Sequence, residues 1–189
     1  MTKVKRGPWT ILNQNEVHES PWIKVTQFDV LNPSNNPGNY STISFKNLAI
    51  GIIPLDRNGD TWIVGQYRFP IEEYSWEIPE GGGKKSVSPL ESAKRELREE
   101  VGIDAKKWTL IQEMKLSNSA SDEHAYIYLA QDLSFFEPEP DEDEKLEMKK
   151  IHFNELLKMV ESGEITDSLT VVAVYKIKLM LVNEKLKFE

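Results

Sequence analysis

The chain has 189 residues and 39% hydrophobic content, enough for one globular domain with a substantial core. Its formal net charge of -8 disfavours nucleic acid and anionic membrane surfaces as partners. Because there is no cysteine, disulfides, thiolate zinc sites and a cysteine nucleophile are excluded. The N-terminus lacks the apolar run of a signal peptide, and no window approaches the ~20 apolar residues of a membrane span, so we expect a cytoplasmic protein.

The first part of the chain is predicted to form β-structure. Residues 1–45 alternate short apolar and polar runs around turn-forming clusters, with one strand through Val25, Phe28 and Val30 and its partner over residues 40–45. This pattern predicts an N-terminal β extension ahead of the remaining residues, 46–189.

Two further strands are predicted at residues 48–55 and 61–68, on either side of a polar turn cluster. Within that cluster, the pair Asn58-Gly59 predicts a two-residue hairpin turn, which needs positive φ at both positions. A helix is predicted next, because Ser88-Pro89 is typical of an N-cap followed by proline in the first turn. The helix runs to about Val101 and ends at Gly102.

The rest of the chain alternates predicted strands and helices. Strands are predicted at residues 108–115, 125–130 and 148–153, and helices at 154–162 and 168–183. The acidic, proline-containing segment 136–144 is predicted to be a loop. Together these elements predict an α+β fold in which helices flank a mixed β-sheet.

Three glutamates of the first helix are predicted to share one face. Glu99 and Glu100 follow Glu96 by three and four residues, a spacing that brings side chains together on a helix. Each pair of like charges at that spacing costs roughly 0.2–0.5 kcal/mol. A bound divalent cation would offset the repulsion, but a solvated charged face explains the pattern too. From the residues alone both interpretations stay open.

These residues resemble the Nudix box, whose pattern is G-x5-E-x7-R-E-U-x-E-E-x-G-U with U an aliphatic residue. Gly81 and the segment from Arg95 to Ile103 keep the spacing throughout. Agreement at so many positions in one short segment is not expected by chance. Val87 departs from the pattern because it stands where the family has its first glutamate, which supports the metal site.

Segments outside the box are similar to the ADP-ribose pyrophosphatase branch of this family; they lie at residues 66–68, 76–81, 119–123 and 163–168. The resemblance implies a Nudix fold in which residues 46–189 form the catalytic domain, while residues 1–45 serve dimerisation and base binding. It also implies a homodimer and a small-molecule substrate, a nucleoside diphosphate sugar. Hydrolysis would give a nucleoside monophosphate and a sugar phosphate.

Carried over residue by residue, the resemblance implies a site for Mg²⁺, with Mn²⁺ as the other suitable ion. Glu96 and Glu100 are the principal ligands, and Glu99 is an additional ligand or a partner of bound water. The backbone carbonyl of Glu80 completes the metal shell, a role that does not depend on its side chain. Gly81, in the same turn, is assigned to substrate binding.

Two residues outside the box are assigned to the substrate by the same resemblance. Arg68 is similar to an arginine that contacts substrate phosphate or nucleotide, and a surface ion pair with Glu72 or Glu73 is the alternative. Trp22 lies where related enzymes place an aromatic ring against the base, often with a contribution from a second subunit. The alternative for Trp22 is an ordinary core or interface tryptophan.

The predicted general base lies in the acidic segment 141–147. Judged by composition, this segment is a solvated tract. In the resembling enzymes, however, a glutamate from this loop activates the attacking water. Glu142 and Glu144 are the two candidates, and the sequence does not choose between them. Because an ordinary carboxylate is a weak base, it needs a metal that lowers the pKa of the water.

The expected function is metal-dependent hydrolysis of ADP-ribose or a related nucleoside diphosphate sugar. One alternative is a non-catalytic Nudix module that binds a nucleotide sugar, which Val87 favours. A second alternative is a hydrolase of dinucleoside polyphosphates or capped RNA. The net charge of -8 and the lack of a basic patch argue against RNA.

Overall fold

The computed structural model describes residues 4–138 and 146–189. Within these ranges the chain forms eleven β-strands and three α-helices. They divide into two compact units: Met1–Asn47 with Lys115–His124, and Leu48–Met114 with Ala125–Glu189. Across the described residues, no helix combines the length and apolar character needed to cross a membrane.

The first unit is built on a four-stranded antiparallel sheet with the order β1-β2-β3-β4. The strands are β1 (Val4–Arg6), β2 (Trp9–Glu19), β3 (Ile23–Leu31) and β4 (Pro37–Phe45). The predicted strand through Phe28 and Val30 is confirmed, and both side chains are buried, as alternation requires. Its predicted partner at 40–45 is also confirmed.

The second segment of this unit, Lys115–His124, is fastened to β4. The backbone N–H of Ile43 donates to the carbonyl of Ala120 at 2.8 Å, and the hydroxyl of Tyr40 donates to the carbonyl of Ser119 at 2.6 Å. The unit is therefore discontinuous in sequence, because residues more than seventy positions apart share backbone and side-chain hydrogen bonds.

The second unit contains a four-stranded sheet, β8-β5-β10-β9, and a three-stranded sheet, β11-β6-β7. The strands are β5 (Asn47–Pro54), β6 (Asp60–Arg68), β7 (Glu73–Glu77), β8 (Glu80–Lys84), β9 (Ile103–Lys115), β10 (His124–Phe135) and β11 (Glu147–His152). Strands β5 and β10 pair in parallel, whereas β6 pairs antiparallel with both neighbours. The apolar run of β5 is buried on both faces, as Ile50, Ile52 and Ile53 are fully inaccessible to solvent.

Three helices complete this unit: α1 (Pro89–Val101), α2 (Phe153–Glu161) and α3 (Ser168–Val182). The predicted ends of α1 are confirmed. Oγ of Ser88 accepts a hydrogen bond from the backbone N–H of Glu91 at 3.2 Å, and Gly102 ends the helix at φ 64°. Ala93, Leu97 and Val101 bury one face of α1 in the core with β5 and β10. The predicted mixed sheet flanked by helices is thereby confirmed.

The two-residue turn predicted at Asn58-Gly59 is wrong. Gly59 has φ 85°, but Asn58 does not adopt positive φ. The backbone N–H of Asp56 instead donates to the carbonyl of Asp60, which leaves a three-residue loop between them. Oδ1 of Asp56 accepts hydrogen bonds from the N–H groups of Asn58 and Asp60, both at 2.9 Å. These side-chain bonds stabilise the longer loop, so only its glycine needs positive φ.

Replacing Ser88 by alanine should lower the free energy of unfolding by about 1 kcal/mol, because the N-cap of α1 loses its acceptor. Urea denaturation measures the change. Ser86→Ala, in the exposed turn before the helix, is the matched control and should leave the free energy of unfolding unchanged. Equal effects of both variants would contradict the capping role.

Candidate active site

The site is built where α1 meets the start of β8. Glu96 and Glu100 are only 8% and 5% exposed, and both project from α1 toward that strand. Oε2 of Glu100 accepts a hydrogen bond from the backbone N–H of Glu80 at 3.0 Å. Glu96 and Glu100, two of the three carboxylates predicted to bind metal, are therefore largely buried. They lie beside the backbone of residues 80 and 81, and the carbonyl of Glu80 is the one predicted to complete the metal shell.

Gly81 has a steric role that the sequence did not specify. A Cβ built on Gly81 would lie 2.5 Å from both carboxylate oxygens of Glu96, too close for any real contact. Only glycine therefore lets the carboxylate of Glu96 lie against the backbone here. The assignment of Gly81 to substrate binding stays a prediction.

Arg95 compensates part of the repulsion among the glutamates. Its guanidinium donates to the carboxylates of Glu96 and Glu99, and also to the carbonyl of Gly82 at 3.1 Å. The side chain of Glu99 is 33% exposed, so it lies at the outer side of the group. Arg95, a residue of α1, therefore supplies part of the positive charge that offsets the repulsion among these glutamates.

A second group of charges adjoins Glu80. Nε of Arg68 donates to Oε1 of Glu77 at 2.9 Å, and Nη2 donates to Oε1 of Glu80 at 2.7 Å. Carboxylate oxygens of Glu77, Glu80 and Asp167 all lie within 4.8 Å of one another. We call these three residues the Glu80 cluster. Arg68 does form ion pairs, but with two residues other than the Glu72 and Glu73 considered from the sequence.

The electrostatics of the cluster are dominated by Glu80. Its burial, together with the charges of Asp167 and Glu77, raises the pKa of its carboxyl well above the ordinary value, and Arg68 offsets only part of this. Burial by itself lowers the pKa of the Arg68 guanidinium. The hydrogen bond to Glu77 and the charges of the neighbouring carboxylates together have a larger, opposite effect, so the pKa lies above its ordinary value and Arg68 stays charged. Oε2 of Glu80 is buried and has no hydrogen-bond partner among the described residues.

The donor set suits a hard divalent cation. Carboxylate and backbone carbonyl oxygens are the ligands that Mg²⁺ and Ca²⁺ prefer. An orphaned, buried carboxylate oxygen is costly without a partner, and a cation is one way to satisfy it. The residues present therefore fit the metal that the resemblance implies.

Asp167 and Glu77 were not assigned a role from the sequence, although both lie in segments similar to the pyrophosphatase branch. Asp167 is the N-cap of α3, and its Oδ2 accepts from the N–H and the hydroxyl of Thr170 at 2.7 and 2.8 Å. Oγ1 of Thr170 in turn accepts from the N–H of Ile78 at 2.9 Å. This chain of bonds fixes the start of α3 against the turn between β7 and β8.

The remaining predicted residues are more scattered. Trp22 lies in the loop between β2 and β3 and is 68% exposed, so it is not a core tryptophan of this chain, while the interface alternative and the base-binding role stay predictions. Val87 is 42% exposed in the turn before α1. Glu142 and Glu144 fall outside the described residues, and their role stays a prediction.

The chain combines an α+β fold with a carboxylate-rich site between α1 and β8, and this site requires glycine at position 81. The same combination is expected of the family that the sequence resembles. Residues 45–168 match the sequence profile of the NUDIX domain, and the chain belongs to the Nudix family. The Nudix fold predicted from the box is thereby confirmed.

Two curated relatives and one solved structure are similar to the chain. An ADP-ribose pyrophosphatase from Bacillus subtilis is 37% identical over 133 residues, which cover 69% of this chain and 72% of that protein. The ADP compounds hydrolase NudE from Escherichia coli is 28% identical over 188 residues, covering 99% and 97%. A crystal structure of an ADP compounds hydrolase matches the fold with a TM-score of 0.84 at 24% identity, covering 96% and 98%.

Gly81→Ala should destabilise the fold by about 1–3 kcal/mol, because the new methyl group overlaps the carboxylate of Glu96. Urea denaturation tests this directly. Gly38→Ala is the matched control, since a Cβ there meets nothing within 4 Å. A Gly81→Ala protein as stable as the control variant would show that Glu96 does not need this close approach.

Proposed function

We propose that this chain is a metal-dependent hydrolase that cleaves the diphosphate of ADP-ribose or a related nucleoside diphosphate sugar. The products are a nucleoside monophosphate and a sugar phosphate. The observation that carries the proposal is the packing of the Glu96 and Glu100 carboxylates against the backbone at Glu80 and Gly81. The named activities of the Bacillus subtilis and Escherichia coli relatives support the same substrate class.

Nudix hydrolases depend on divalent metal ions, and the ion proposed here is Mg²⁺, with Mn²⁺ as a substitute. The ligands are the carboxylates of Glu96 and Glu100 and the backbone carbonyl of Glu80, with Glu99 as an additional ligand or a partner of water. When bound, such an ion neutralises phosphate charge and lowers the pKa of water. The N–H of Glu80 holds the carboxylate of Glu100 in place for this role.

Arg68 and Trp22 are each proposed as substrate-binding residues, Arg68 for phosphate or nucleotide and Trp22 for the base. The guanidinium of Arg68 is oriented by Glu77 and Glu80, and with a side chain 34% exposed it remains accessible to an anionic phosphate. The exposed ring of Trp22 is available to stack on a base. Gly81 permits close approach of the substrate to the backbone. The chain is proposed to act as a homodimer.

The general base is proposed to be Glu142 or Glu144. Either carboxylate would take the proton of the attacking water. Attack occurs at a phosphorus in line with the leaving phosphate, and Arg68 stabilises charge on the diphosphate oxygens. The cytoplasmic location stays a prediction from the sequence.

One observation favours a non-catalytic module that only binds a nucleotide sugar. Val87 replaces the first glutamate of the box, and because a valine side chain has no oxygen atom, the position contributes no ligand. Binding of a nucleotide sugar without turnover would decide for this module.

The purified protein with Mg²⁺ should release nucleoside monophosphate from at least one member of a panel of nucleoside diphosphate sugars. The panel includes ADP-ribose, and dinucleoside polyphosphates and capped RNA serve as comparison substrates. Mass spectrometry identifies both products, which also locates the bond that is cleaved. Release of no nucleoside monophosphate from any sugar substrate refutes the proposed reaction.

Glu100→Gln should remove nearly all turnover, with kcat falling by about a hundredfold or more, because a buried metal-ligand carboxylate loses its charge. The amide oxygen still accepts from the N–H of Glu80, so the fold should be kept. Steady-state rates on the best substrate measure the effect. Glu161→Gln, exposed at the end of α2, is the matched control and should turn over normally. Normal rates in Glu100→Gln would refute the ligand assignment.

A further inference from the structure

A buried hydroxyl of α3 contacts the backbone beside the proposed metal site. Oγ1 of Thr170 accepts a hydrogen bond from the N–H of Ile78 at 2.9 Å, although the two residues are 92 positions apart. Both residues are fully inaccessible to solvent. Ile78 lies between β7 and β8, two residues before Glu80. The contact therefore connects the first turn of α3 to the backbone that meets the α1 glutamates.

The orientation of this hydroxyl is set by Asp167. A threonine hydroxyl has one hydrogen, and in Thr170 it is donated to Oδ2 of Asp167 at 2.8 Å. The same carboxylate oxygen caps α3 by accepting from the N–H of Thr170 at 2.7 Å. Because its hydrogen is already used, the hydroxyl oxygen presents a lone pair to the N–H of Ile78. Donor and acceptor are therefore matched at both contacts of the hydroxyl.

The backbone between β7 and β8 is hydrogen-bonded to three different elements. The N–H of Ile78 donates to α3, and the carbonyl of Pro79 accepts from the N–H of Ile52 in β5 at 2.8 Å. The N–H of Glu80 donates to Oε2 of Glu100 in α1 at 3.0 Å. Three consecutive residues thus each have a bond to a separate part of the fold. The contribution of α3 to this arrangement is the hydroxyl of Thr170.

Side-chain packing brings α3 and the same backbone together over β5. A Cβ built on Gly51 of β5 would lie 3.0 Å from Cδ2 of Leu169 and 3.1 Å from Cδ1 of Ile78. Leu169, the residue before Thr170, and Ile78 therefore pack tightly over one glycine. In a close-packed interior such contacts leave little room for either group to move. The distance between the hydroxyl and the N–H of Ile78 is thus fixed by packing as well.

Without the hydroxyl, the N–H of Ile78 would lose this acceptor in a place that water does not reach. An unsatisfied buried donor is costly, so the backbone is expected to shift toward another acceptor. Glu80 would move with it, and so would the N–H that holds the carboxylate of Glu100. Mg²⁺ tolerates such movement poorly, because it needs near-ideal octahedral geometry with ligand distances kept to within about 0.2 Å.

We propose that Thr170 is a positioning residue of the metal site. Its hydroxyl, oriented by Asp167, holds the backbone of Glu80 where that backbone meets the carboxylate of Glu100. The inference rests on the proposed function for the metal site itself. It deepens that function by giving α3, which lies outside the box, a part in metal binding. Thr170 acts through Ile78 and not by contact with the ion.

The test measures the Mn²⁺ affinity of metal-free protein by electron paramagnetic resonance, without substrate. Thr170→Val replaces the hydroxyl by a methyl group and should weaken Mn²⁺ binding by at least about tenfold, the usual effect of losing a hydrogen bond that supports metal ligands. Thr170→Ser keeps the hydroxyl and should bind Mn²⁺ as wild type does. Circular dichroism checks the fold, and Thr170→Ala replaces Thr170→Val if the valine variant does not fold.

Thr61→Val is the matched control, because Thr61 is also fully buried but its Oγ1 has no hydrogen-bond partner among the described residues. It should keep the Mn²⁺ affinity of wild type. Equal Mn²⁺ affinities of wild type and Thr170→Val would refute the positioning role and leave the proposed metal site standing. Equal losses in Thr170→Val and Thr61→Val would refute it too, since any buried hydroxyl would then have the same effect. If wild type binds no Mn²⁺, the metal-dependent function is refuted and the inference with it.

Discussion

The site depends on the contact between α1 and the first residues of β8. Glu96 can lie against the backbone only because residue 81 has no side chain, and Glu100 is held by the N–H of Glu80. On its other face, α1 buries Ala93, Leu97 and Val101 in the core. The core therefore fixes the helix, and the helix fixes the two carboxylates.

Buried carboxylates carry a cost that the rest of the site has to offset. An ionised group removed from water is destabilising unless it is paired, and here Arg95 and Arg68 each pair with two carboxylates. The two arginines act on different groups. Arg95 compensates the α1 glutamates from the outer side, whereas Arg68 compensates Glu77 and Glu80 from β6.

The parts of the structure that the sequence predicted are those with local physical causes. The ends of α1 follow from Ser88, Pro89 and Gly102, whose effects act within one turn of helix. Strand β8 was not predicted, because the sequence from Glu80 to Lys84 is mostly glycine and has low strand propensity. It forms because it lies next to β5 in the sheet, a long-range cause that no local pattern contains.

The same distinction separates the two halves of the candidate site. The spacing from Glu96 to Glu100 is a property of one helix, so the sequence could place those carboxylates together. Glu77 and Asp167 are ninety positions apart and meet only because Thr170 bonds to Ile78 at the turn after β7. A site assembled from three elements leaves no spacing to recognise. The α1 carboxylates and the Glu80 cluster nevertheless meet at one residue, Glu80, whose backbone faces the first and whose side chain belongs to the second.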